Sequence, residues 1–302
     1  MRVANRRTDE FRIALSVLFV VVVSMNRTGL YIGETEIDCE KMRPVVDDVT
    51  GDEAVCHRAP CIRMGPDESS TGLNMMKCTN DERKASIDAC QRASLRAIGP
   101  LGCLRLQIVV DPLEPLQTIA HDERGGPFAV GPDGREAEGT LLSVTDEEGC
   151  LLHVWAWPEH DSLIVGLGVD LASTADFGGS PEDQQLAELL FTAHERELVQ
   201  ELWPACPSLG YASAIAAHEA AFKSTARPLR QWYESHSEEL FFEVMDFALV
   251  SPNRVTGDAR NGRASKAFER LGIDRIEVAF AELDGMAFAL AVALADVQGT
   301  LG

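Results

Sequence analysis

The run Gly166-Leu-Gly-Val-Asp170 constrains this chain more than any other segment. Residues 163–170 read as a buried strand, with Val165, Leu167 and Val169 as apolar positions and the Asp170 carboxylate at its end. Further along, His218-Glu-Ala-Ala-Phe-Lys223 puts Glu219 and Lys223 at i and i+4, on one face of a helix. An acid at a strand end, set beside a helix bearing an acid and an ammonium, can hold a hard cation and still move a proton. Mg²⁺ prefers oxygen ligands and often takes only one or two protein carboxylates plus substrate phosphates. Asp170 and Glu219 would be those two. Lys223, a compact point charge, can meet a phosphate or protonate a leaving oxygen. The same spacing also suits a plain structural role. An exposed Glu–Lys i,i+4 pair is common and contributes only about 0.3–0.5 kcal/mol, and an Asp after a strand often caps a turn.

Charge narrows the field. The 302 residues hold 48 acids and 27 bases, for a formal net charge of −21. Nucleic acid is an unsuitable main partner, because phosphate backbones need clustered Lys and Arg. Between Arg135 and Arg196 the chain has neither. The length suits one large domain or two modest ones.

Residues 13–23 are strongly apolar and follow Arg2, Arg6, Arg7 and Arg12, like the front of a signal peptide. The run is too short to cross a hydrocarbon core of roughly 30 Å comfortably, and no small-x-small cleavage site follows it. Five of the eight cysteines (Cys39, Cys56, Cys61, Cys78 and Cys90) precede residue 100. A secreted, disulfide-bonded N-terminal region is one reading of that distribution. The preferred reading is a poorly ordered extension over residues 1–80, with Met75 or Met76 as an alternative start, on a cytoplasmic protein without a membrane span. Cys56 and Cys61 lack a standard zinc spacing.

From residue 81 the pattern becomes periodic. A helix is expected over 81–98, stopped by Gly99-Pro100, then a strand over 104–110. Residues 112–138, rich in Gly and Pro, read as a connecting loop. Strands at 139–144 and 150–157 flank the turn Asp146-Glu-Glu-Gly149. One long helix is expected over 181–202, and the Ala-rich helix with Glu219 and Lys223 over 212–225. A short helix at 229–236, a strand at 239–250 and a helix at 262–271 follow. A closing hairpin over 274–281 and 286–295 turns at Glu282-Leu-Asp-Gly285. The grammar of apolar run, acidic turn and apolar run occurs at both 141–157 and 276–295. These features predict an α+β chain of two pseudo-symmetric lobes, 81–160 and 161–302, each a small antiparallel sheet packed on a helix. The junction falls near 158–162, the kind of interface where ligands bind.

Three motifs in order resemble the 4′-phosphopantetheinyl transferase superfamily. Its members read Gly-(Ile or Val)-Asp-(Ile or Leu), then Phe-(Thr or Ser)-x-x-Glu, then a helix with Lys-Glu-Ala-x-x-Lys. Here they are Gly168-Val-Asp-Leu171, Phe191-Thr-Ala-His-Glu195 and His218-Glu-Ala-Ala-Phe-Lys223. The tail is similar to that of the holo-acyl-carrier-protein synthases: a helix at 264–271, Gly272-Ile-Asp-Arg-Ile276 entering a strand, and Met286-Ala-Phe-Ala-Leu-Ala-Val292 as the last strand. The resemblance covers about residues 163–297, and more weakly 88–160, as in two-lobed members.

That resemblance implies transfer of phosphopantetheine from coenzyme A to a serine of an acyl or peptidyl carrier protein, releasing 3′,5′-ADP. By motif match, Asp170 and Glu219 would hold Mg²⁺ on the pyrophosphate. Glu219 would help deprotonate the serine, Lys223 would serve the leaving phosphate, and His218 and Lys223 would contact the cofactor. A monomer is implied by the two-lobed type. The departures are His218 in place of a Lys, Ala172 where two-lobed members often carry a second acid, and Ser143 and Glu282 at the positions of the family's hairpin histidines. They leave open a family-fold protein that has lost transfer and binds within a polyketide or fatty-acid assembly. Arg227 and Arg230 are the expected basic patch for an acidic carrier.

Overall fold

The computed structural model describes residues 80–110, 119–122, 125–147, 150–177, 179, 181–257, 262–283 and 285–295. The expectations placed on residues 1–79, including the apolar run and four of the cysteines, lie outside the described residues. Cys90, Cys103 and Cys206 are free thiols.

The molecule is α+β, built on three antiparallel sheets among the described residues. The largest has five strands in the order β6 (Ile164–Ser173), β10 (Met286–Ala295), β9 (Ile273–Leu283), β8 (Arg254–Gly257), β7 (Phe247–Ser251). Strand β10, between β6 and β9, is buried on both faces, which explains why its sequence is a continuous apolar run. Alternation sorts that run by size. Ala287, Ala289, Ala291 and Ala293 face one apolar cluster, with helix α4 (Pro207–Ser224). Phe288, Leu290, Val292 and Leu294 face a second cluster, with helix α1 (Asn80–Ile98) and the N-terminal sheet.

Small residues on the first face let α4 come unusually close. α4 is buried nearly all round, with Ala212, Ala214, Ala216, Ala217, Ala220 and Ala221 fully enclosed. On β6 the facing residues are Gly166 and Gly168. A Cβ on Gly166 would stand 1.8 Å from Ser224 O, and one on Gly168 would stand 1.8 Å from Ala220 O. Those contacts are with backbone, which cannot swing aside. Gly166-Leu-Gly-Val-Asp170 is therefore a docking rail for the helix, and Asp170 is the residue where the rail reaches polar company.

The N-terminal half holds a three-stranded sheet, β1 (Cys103–Val110), β5 (Cys150–Pro158), β4 (Leu141–Glu147) in that order. Helix α1 packs on both β1 and β9, so the two halves share one apolar core. β4 lies against β6, where Ser143 Oγ accepts from Val169 N at 3.0 Å. This seam brings the N-terminal hairpin to Asp170. The hairpin-and-helix grammar occurs in both halves, but their sheets have three and five strands.

Three sequence expectations are corrected. The long helix over 181–202 is two helices, α2 (Pro181–Leu190) and α3 (Ala193–Leu202). Thr192 breaks them apart: its hydroxyl accepts from Glu195 N, and the Glu195 side chain returns to Thr192 N, a capping box. The 112–138 loop contains a short hairpin, β2 (Ile119–His121) and β3 (Pro127–Ala129). The 239–250 strand shortens to β7. Before it, buried Asp246 accepts from Glu243 N at 2.7 Å and turns the chain. Helices α5 (Ala226–Ser235) and α6 (Arg263–Leu271) complete the C-terminal half. No described helix is long and apolar enough to cross a membrane.

Candidate active site at the seam of β4, β6 and α4

Asp170, Glu219 and Lys223 are brought together, and Thr145 joins them. Lys223 Nζ donates to Asp170 Oδ1 at 2.6 Å and to Thr145 Oγ1 at 3.0 Å. Thr145 Oγ1 donates to Asp170 Oδ1 at 2.8 Å. The three groups form a closed triangle from three elements: β4, β6 and α4. The Asp170 side chain is 5% exposed and that of Lys223 31%. The carboxylate forms the floor and the ammonium reaches toward the mouth.

The electrostatics are those of crowded acids around one cation. Burial, Asp170 and Glu147 push the Glu219 carboxyl up to about 8, against the pull of Lys223. Burial also pushes Asp170 up, opposed by the Lys223 ammonium and the hydrogen bonds it accepts. Burial works against the charge on Lys223, yet Asp170, Glu219 and Asp146 together raise it above the ordinary lysine value. At neutral pH the cluster thus keeps a proton on Glu219 at a place where negative charge has accumulated.

Two members were missed in the sequence. Thr145 and Glu147 lie two apart on β4, so they share a face with Ser143. An alternation of Ser, Thr and Glu along a strand is ordinary and carries no motif. Glu147 supplies from another strand the kind of charge that Ala172 lacks.

His218, expected to contact the cofactor, does not join the cluster and faces the core instead. Its side chain is fully buried, with Nε2 2.5 Å from Glu195 Oε1. Nδ1 has no hydrogen-bond partner, so the ring's proton belongs on Nε2. Glu195 is also fully buried and accepts from Thr192 N at 2.8 Å, Thr192 Oγ1 at 3.0 Å and Leu249 N at 2.7 Å. Burial alone would raise this carboxyl. His218 and the two backbone amides outweigh burial and hold it below the usual range. The Phe-Thr-x-x-Glu segment is thus a structural knot tying α3, α4 and β7 together. His218 lies on the core side of the helix, next to Phe191.

The basic patch is corrected too. Arg227 Nε stands 2.9 Å from Glu136 Oε1, and Arg230 reaches Glu136 Oε2 at 2.7 Å and Asp122 Oδ2 at 3.6 Å. The Arg230 guanidinium also lies over the Phe128 ring, 4.7 Å from its centroid. These cations bind the chain to itself. Trp157 likewise carries Arg105 on its ring, and Trp232 stacks on His236.

Among the described residues, no group of three or more His, Cys, Asp or Glu side chains is disposed to hold a metal. The donors still suit Mg²⁺: two carboxylates with hard oxygens, one of them holding a proton where a cation could neutralise the same charge.

No protein-family model matches the chain, and no curated protein matches it. Among solved structures, it is similar to the holo-ACP-synthase of Plasmodium yoelii over 44% of this chain and 96% of that one, at 18% identity and a TM-score of 0.31. A likeness at that score carries nothing about activity.

Proposed function

We propose that this chain transfers 4′-phosphopantetheine from coenzyme A to a serine hydroxyl of an acyl or peptidyl carrier protein, releasing 3′,5′-ADP. The observation that carries this reading is the convergence of Asp170, Thr145 and Lys223, with Glu219 one turn from Lys223 on the same helix. Asp170, Glu219 and Lys223 are the residues picked out by the motif resemblance; Thr145 is not among them.

The serine oxygen bonds to phosphorus as the pyrophosphate P–O bond breaks. The serine proton passes to Glu219, directly or through water, once that carboxyl has lost its own proton. Lys223 directs an N–H at the departing phosphate and supplies charge or a proton there. Thr145 holds Lys223 and Asp170 in register. A Mg²⁺ held by Asp170 and Glu219 would neutralise charge gathering on the phosphoryl oxygens.

A second reading is a non-transferring binding module. The internal pairing of Arg227 and Arg230 and the burial of His218 favour it, since the first removes the expected patch for an acidic carrier and the second the expected contact with the cofactor. Incubation with coenzyme A, Mg²⁺ and an apo carrier protein separates the two. Transfer adds the mass of one phosphopantetheine to the carrier, and Asp170→Ala or Glu219→Ala abolishes the gain. Absence of any gain on several unrelated carriers would leave the binding module.

A further inference from the structure

An anionic substrate must find cations near Lys223, and the surroundings there are acidic: Asp170 and Glu219 directly, Asp146 and Glu147 from β4. A crevice beside Lys223 is lined by Phe128, Glu136, Leu142, Arg227 and Arg230. Its volume is about 20 Å³, room for a single water. The Glu136 carboxylate lies in its wall between the two arginines, one oxygen facing each guanidinium. The fit is incomplete. Arg227 Nε is a buried atom within ion-pair distance of Oε1, yet it makes no hydrogen bond. A planar carboxylate has two oxygens to share between two forks, whereas a phosphate has three in a pyramid and meets guanidinium N–H groups from more directions.

We propose that Arg227 and Arg230 form a phosphate-binding site in the wall of the active crevice, and that Glu136 occupies it until a phosphate group displaces it. Arg227 and Arg230 follow Lys223 closely, on α5, and the Phe128 ring packs against the Arg230 guanidinium independently of Glu136. Glu136 lies beyond β3 in chain order, so its side chain can turn away while Phe128 on β3, β6 and α4 stay in place. Naming phosphate as the anion rests on the transferase reading. The displaceable carboxylate rests on geometry alone.

Inorganic phosphate, titrated without metal, coenzyme A or carrier into the full chain by calorimetry, tests the site. Glu136→Gln is expected to bind phosphate about tenfold more tightly than the unaltered chain, and Glu136→Gln with Arg230→Gln is expected to lose that gain. Equal affinity in the unaltered chain and Glu136→Gln, or a gain that persists without Arg230, would overturn the proposal. Should Glu136→Gln fail to fold, Glu136→Asp withdraws the carboxylate by one methylene while keeping its charge. It is expected to gain at least about threefold, and no gain would also overturn the proposal. Phosphate binding with these dependences but no transfer to carriers would leave this site standing and remove the transferase reading.

Discussion

Lys223 Nζ lies 2.6 Å from Asp170 Oδ1, and the hydroxyl of Thr145 bridges the two. The pair joins helix α4 to strand β6, and Thr145 brings in the other half of the molecule. Lys223→Ala leaves a buried carboxylate with one hydrogen-bond donor fewer, at a cost of about 2 kcal/mol given the part-exposed lysine. Thr145→Val keeps the shape and removes the bridge, with a smaller cost of about 1 kcal/mol. Both are expected to reduce transfer strongly. Urea denaturation and a turnover assay on the same preparations check the two effects separately.

Close helix packing makes its own demand. Gly168→Ala drives a Cβ into Ala220 O, which has no free rotation to escape. The expected loss is about 3 kcal/mol, at the upper end for overpacked cores. Gly99→Ala, with nothing within 4 Å of its new methyl, serves as the control and should change stability little. Thermal melting of both variants decides it.

The knot at Glu195 is a second structural prediction. Glu195→Ala leaves Leu249 N and Thr192 N without an acceptor and removes the capping box, costing about 3 kcal/mol. His218→Gln preserves a donor toward Oε1 and should cost less. If His218 touched the cofactor, its Gln variant would raise the KM for coenzyme A in proportion; the buried position predicts an unchanged KM in folded protein.

The metal-free fold should lose stability as pH rises. The folded Glu219 carboxyl holds its proton up to about 8, and an unfolded Glu releases it near 4.3. The folded state therefore binds more protons across that window. The stabilisation is full below the unfolded value and is lost as pH climbs through the folded one. Melting temperature measured from pH 5 to pH 9 should fall in the unaltered chain and fall less in Glu219→Gln. Mg²⁺ should flatten the slope by replacing the proton.

Much of this was legible in the residues, for identifiable reasons. The β9–β10 hairpin was marked by Asp284-Gly285, and Gly285 takes φ +77°, which suits glycine. Glu219 and Lys223 followed from helical spacing, which is local. The break at Thr192 was also written locally, as Thr-x-x-Glu, but the apolar periodicity on either side masked it. Thr145 and Glu147 were not legible, because their role depends on β4 lying against β6, a contact between halves that no local pattern encodes. His218 could not be placed either. Spacing puts it beside Glu219 in sequence but some 100° around the helix, and only the packing of α3 reveals that this side is core.

The most direct test of the central claim is the intact mass of an apo carrier protein after incubation with coenzyme A and Mg²⁺. The unaltered chain is predicted to add one phosphopantetheine, and a folded Glu219→Ala variant to add none. A carrier left unmodified by the unaltered chain, or modified equally by both, would contradict the assignment of this site.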